Sequence, residues 1–69
     1  MLKKRSVMIA KHRTSVALEP EFWAVLEKEA AIARISFAQL IMTIDRERGP
    51  RPLASALRLH ALAALQRKV

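Results

Sequence analysis

The sequence predicts a small, mostly α-helical domain with one short N-terminal strand, completed by a second copy of the same chain. Three observations predict it. Period-two alternation is clearest in "RTSVAL", residues 13–18. Two helical stripes with start signals follow, and then a third apolar segment. The chain has only 69 residues and no cysteine, so it lies near the lower limit for a self-sufficient core and has no disulfide to compensate. Association between copies is the remaining common route.

In residues 13–18 successive side chains point to opposite sides. Thr14, Val16 and Leu18 share one face, and Arg13, Ser15 and Ala17 the other. β-Branched Thr14 and Val16 favour the extended form. A lone strand is not stable in water. Its simplest partner is the same strand of a second chain, antiparallel about a two-fold axis.

The first helix opens in "EPEFW". Pro20 suits a first turn because its missing N–H is not needed there, and Glu19 and Glu21 suit the positive end of the dipole. Phe22, Leu26, Ala30 and Ala33 recur at helical spacing, widened by Trp23 and Val25. Phe22 is expected in the core and Trp23 partly buried; base stacking by this pair is the less favoured reading. The helix should end near Ala33 or Arg34. Ser36 followed by Gln39 makes a capping box for a second helix, whose face is Phe37, Leu40, Ile41 and Ile44. "RERGPRP" breaks it. The third helix runs from about Pro52 or Leu53 to Gln66, with Leu53, Leu57, Ala61, Ala64 and Leu65 on one side and Leu59 and Leu62 on another. Apolar residues on more than one side call for a partner chain. Val16, Leu18, Phe22, Leu26, Leu40, Ile41, Ile44 and Leu57 are the expected core and dimer residues.

Net charge is +7, and Lys3, Lys4, Arg5, Lys11 and Arg13 all precede the first acidic residue, Glu19. Residues 1–12 therefore read as a basic arm with a little alternation in "SVMI", an electrostatic footprint for a polyanion, most often nucleic acid. The apolar runs are too short to span a membrane, and the basic start lacks the apolar stretch of a signal peptide. A cytoplasmic, nucleoid-associated protein is expected. His12 and His60 are too few and too far apart for a metal site; His60 falls on the third helix stripe as a packing or interface residue. Ser6, Ser15, Ser36 and Ser55 have no nucleophile elbow around them, and Asp45 and Glu47 no catalytic pairing. Neither an enzyme nor a cofactor is expected.

"HRTSVALEPEFW", followed by "ISFAQLIMTID" and "SALRL", resembles the ribbon-helix-helix proteins, and in particular short bacterial domains with an HRTS-x-x-LEPEFW signature. The resemblance runs from about residue 6 to residue 65 and makes residues 13–66 the ribbon-helix-helix domain, with a third C-terminal helix. It implies an intertwined homodimer whose two strands form an antiparallel ribbon in the major groove of double-stranded DNA. Arg13, Ser15 and Ala17 would then meet the bases: Arg13 on guanine, Ser15 as donor or acceptor, Ala17 on a thymine methyl. Ser36 and the N–H groups of Phe37 and Ala38 would hold a DNA phosphate at the amino end of the second helix. Lys3, Lys4, Arg5 and Lys11 would add attraction to phosphates independent of sequence. The sequence departs from the pattern in "ARIS", where Arg34 stands in a glycine position; positive φ there would cost on the order of 1 kcal/mol. The loop "GPRP" replaces a polar cap before the third helix.

The function so implied is sequence-specific DNA binding, with repression of transcription first. Tight binding calls for dimers side by side, so higher order on DNA is expected. The alternative is the antitoxin of a toxin–antitoxin pair that also binds DNA. Such antitoxins carry a long extra segment around the toxin, and this chain stops soon after its third helix, which ranks a toxin partner second. A basic peptide on acidic membranes ranks last, because the helices carry mixed charge.

Overall fold

The computed structural model describes residues 1–67. Two strands, β1 (Lys3–Ile9) and β2 (His12–Leu18), precede α1 (Pro20–Ala33), α2 (Phe37–Glu47) and α3 (Leu53–Gln66). The strands form a two-stranded antiparallel ribbon, so the expected ribbon followed by helices is present. The source of its second strand differs from expectation. Residues 3–9, which their charge marks as part of a basic arm, pair with β2 inside the same chain. The physical reason lies in the alternation of "KKRSVMI": Val7 is buried and Arg5 and Ile9 are half-buried, while Lys4, Ser6 and Met8 are exposed. Val7 joins Val16 and Leu18 in the core. That burial ties β1 to the helical layer.

The turn between the strands is two residues long, and both are left-handed: Ala10 at φ 48° and Lys11 at φ 70°. Two positive φ values in a two-residue loop match the twist of a hairpin, which is why Asn-Gly is the usual choice. Ala and Lys instead carry strain of about 1–2 kcal/mol each. Folding of the ribbon onto the helices has to offset it.

Pro20 is the first residue of α1, and the Glu19 carbonyl accepts from the Phe22 and Trp23 amides at 2.9 and 3.3 Å. The helix closes in a Schellman arrangement. The Arg34 amide donates to Ala31 (3.1 Å) and the Ile35 amide to Ala30 (3.1 Å), with Arg34 at φ 60°, ψ 40°. Positive φ at this position is therefore present, on a residue that has a Cβ. At α2 the capping box forms in both directions: Ser36 Oγ accepts from the Gln39 amide and Gln39 Oε1 from the Ser36 amide, each at 3.0 Å. Gly49 takes up a left-handed conformation (φ 61°) after α2. α3 begins at Leu53, directly after Pro52.

The helices cover one face of the ribbon. Leu18, Leu26, Ile41, Leu57 and Ala61 are fully enclosed there. The two aromatic residues of "FW" exchange the places assigned to them: Trp23 is 2% exposed and lies in the core, while Phe22 is only partly buried against it. Trp23 can be buried because its Nε1–H donates to the Lys3 carbonyl at 2.8 Å, which removes the cost of an unsatisfied indole. That acceptor belongs to β1. Of the residues placed on the inner side of α3 by their spacing, Ala64 is buried but Leu65 is exposed.

Arg58 of α3 pairs with Glu19 at 3.0 Å and Arg67 beyond α3 pairs with Glu29 at 3.2 Å. The order of these pairs sets α3 beside α1, running in the same direction. The Glu19 carboxyl lies below its usual pKa, held there first by a backbone hydrogen bond and then by the Arg58 guanidinium. None of the described helices is long and apolar enough to cross a membrane.

Candidate nucleic-acid interface

Strand geometry sorts the basic residues into two sets. The register pairs Lys4 with Ala17, Ser6 with Ser15, and Met8 with Arg13. These six side chains stand on the outer face of the ribbon, away from the helices, because their neighbours Val7, Val16 and Leu18 are buried on the inner face. Arg13, Ser15 and Ala17 are thus on one surface, and β1 adds Lys4, Ser6 and Met8 beside them. No acidic residue occurs before Glu19. Among the described residues no carboxylate lies within ion-pair distance of Lys4, Lys11 or Arg13; the pairs formed engage Arg5, Arg48, Arg58 and Arg67.

Arg5 lies apart from this set. Its guanidinium meets Glu27 at 2.9 Å and lies 5.0 Å from the Trp23 ring centroid and 5.6 Å from that of Phe37. The residue joins β1 to α1 and α2 on the inner side, where the exposed ion pair contributes about 0–1 kcal/mol and each ring contact about 0.5–1 kcal/mol. Lys3 also belongs to the inner row, opposite Leu18, but its side chain is exposed at the ribbon end. Lys11 is in the turn at the tip, next to exposed His12.

The amino end of α2 is a separate cationic feature. Its capping box engages the amides of Ser36 and Gln39, and the first regular helical bond is Leu40 to Ser36 at 3.1 Å. The amides of Phe37 and Ala38 therefore keep the donor capacity that an anion at a helix start uses. Phe37 itself is turned inward, its ring 6.1 Å from Trp23. His60 lines a shallow groove with Ile44, Arg48, Arg51 and Leu59, between the end of α2 and α3. It is half-buried there. Among the described residues no group of three or more metal-ligating side chains converges.

A family model described as a ribbon-helix-helix domain matches residues 2–65, nearly the whole chain. The chain belongs to the ribbon-helix-helix family. No curated protein and no solved structure matches it. Ribbon-helix-helix domains bind DNA and usually dimerise, and in this member the match includes β1, the segment whose charge alone suggests an arm. A signal for the strand exists. "KRSVM", residues 4–8, and "RTSVA", residues 13–17, are the same pattern twice, a cation followed two positions later by Ser-Val and an apolar residue.

Proposed function

We propose that this ribbon-helix-helix protein is a homodimeric, sequence-specific binder of double-stranded DNA, and a transcriptional repressor, that places the outer ribbon face in the major groove. The observation carrying this reading is the separation of charge. Among the described residues, the ribbon's outer face and tip hold Lys4, Lys11 and Arg13 without carboxylate partners, and the acids lie on α1 and α2 or, in Glu19, at the start of α1. Two strands about 4.8 Å apart fit a groove about 12 Å wide, in which every base pair presents its own donor and acceptor pattern. Arg13 supplies a bidentate donor for guanine, Ser15 a donor or acceptor, and Ala17 a methyl contact. Lys3, Lys11 and the α2 amides of Phe37 and Ala38 meet phosphates, with Ser36 shaping that helix end.

Dimerisation is supported by apolar surface left over on the helices: Leu59, Leu62 and Leu65 of α3 are each more than 40% exposed, as is Ile32 of α1. Among the described residues, both outer edges of the ribbon are also unpaired, a state proteins commonly relieve by association or by charge. The molecule is read as a binding protein, not an enzyme.

Arg13→Ala tests the reading. On a selected duplex it should weaken binding about tenfold or more, the loss of one good base contact, while binding to a scrambled duplex falls much less and the far-ultraviolet dichroism stays unchanged. Equal losses on both duplexes in a gel-shift titration would remove Arg13 from base reading.

A further inference from the structure

We propose that each hairpin is a self-contained reader of a short quasi-palindromic DNA element, with Lys4 and Met8 acting as a second copy of Arg13 and Ala17. The proposal rests on the DNA-reading role above and specifies who reads. The observation is a local two-fold symmetry in the outer face. Ser6 faces Ser15 at its centre, Lys4 faces Ala17 on one side and Met8 faces Arg13 on the other. Half a turn about the axis through the serine rung, normal to the sheet, carries Lys4 onto Arg13, Met8 onto Ala17 and β1 onto β2. The inner row obeys the same operation, since Val7 and Val16 exchange and are 6% and 5% exposed. Both symmetry and repeat come from "KRSVM" and "RTSVA" lying antiparallel.

Duplex DNA has two-fold axes of its own, and protein symmetry is mirrored in operator symmetry. From Lys4 to Met8 the face spans about 14 Å at about 3.4 Å per residue, the length of about four base pairs. Each end presents one cation and one apolar side chain on opposite strands. Arg13 and Lys4 therefore each reach guanine O6 and N7, on opposite DNA strands, and Met8 and Ala17 each reach a thymine methyl. Met8 is 49% exposed although apolar, and its flexible thioether suits a methyl contact. Arg5 and Thr14, equivalent by the same symmetry, face the helices and take no part in reading.

Selection of duplexes from a random pool tests this with the full chain and its Lys4→Ala, Arg13→Ala, Met8→Gln and Met8→Leu variants. The wild type should enrich an element of about four base pairs with related ends. Lys4→Ala should relax the guanine preference at one end by about tenfold, and Arg13→Ala that at the other. Met8→Gln should lose a thymine preference that Met8→Leu keeps. A Lys4→Ala or Met8→Gln motif identical to wild type, with binding lowered on all sequences alike, overturns the proposal while leaving Arg13 reading intact. Enrichment of no motif by the wild type removes base reading itself. The provenance of the two strands is tested in parallel. The chain has no cysteine, so Ser6→Cys with Ser15→Cys, opposite one another on exposed positions, should oxidise to a disulfide within one chain. A covalent two-chain band as the main product on a non-reducing gel overturns the single-chain reader.

Discussion

Arg34 shows what one side chain costs in the wrong part of conformational space. Its φ of 60° completes the Schellman closure of α1, and its Cβ is crowded there in a way a glycine hydrogen is not. Arg34→Gly should raise the unfolding free energy by about 1 kcal/mol in urea titration, with DNA affinity little changed. An unchanged or lower midpoint would show that the Arg34 side chain contributes more than its backbone costs. This residue is legible in the sequence, because "ARIS" puts arginine where the family pattern has glycine. Trp23 is not. An indole at the opening of an amphipathic helix reads as half-wet, and only an acceptor aimed at Nε1–H makes full burial tolerable. That acceptor, the Lys3 carbonyl, lies twenty residues upstream, beyond the reach of any helical periodicity.

At the scale of elements, α1, α2 and α3 announce themselves by Pro20, by the Ser36–Gln39 box and by "GPRP", all local signals with a mechanism. β1 does not, because its turn carries Ala10 and Lys11 where Asn-Gly would have marked a hairpin. Reading "SVMI" without a visible turn leaves an arm, and the strand of residues 13–18 then has no partner but another chain. The same turn yields a prediction. Ala10→Asn combined with Lys11→Gly removes the strain at both positions and should stabilise the fold by about 2 kcal/mol. It should also flatten the plot of log affinity against log salt by about 0.9, the share of the single phosphate that Lys11 neutralises. A stability gain without any change of slope would exclude Lys11 from the phosphate set.

For the whole molecule, apolar surface is unevenly covered. The interior is complete with one chain, since Leu18, Leu26, Ile41 and Leu57 are all enclosed, yet α3 presents Leu59 and Leu62 outward. Leu59→Lys with Leu62→Lys should leave the single-chain fold intact and weaken self-association at least tenfold in sedimentation equilibrium. Dimers of unchanged affinity would locate the contact elsewhere, on the ribbon edges. The lone tryptophan of the chain bears a further consequence. Its indole is fastened to the backbone of the first strand and shielded from solvent, so its fluorescence colour is a gauge of whether that strand is seated. Titrating DNA should leave the emission maximum in place if the ribbon docks as a rigid blade. A shift to longer wavelength on heating, ahead of the loss of helical ellipticity, would mean that the blade peels away first.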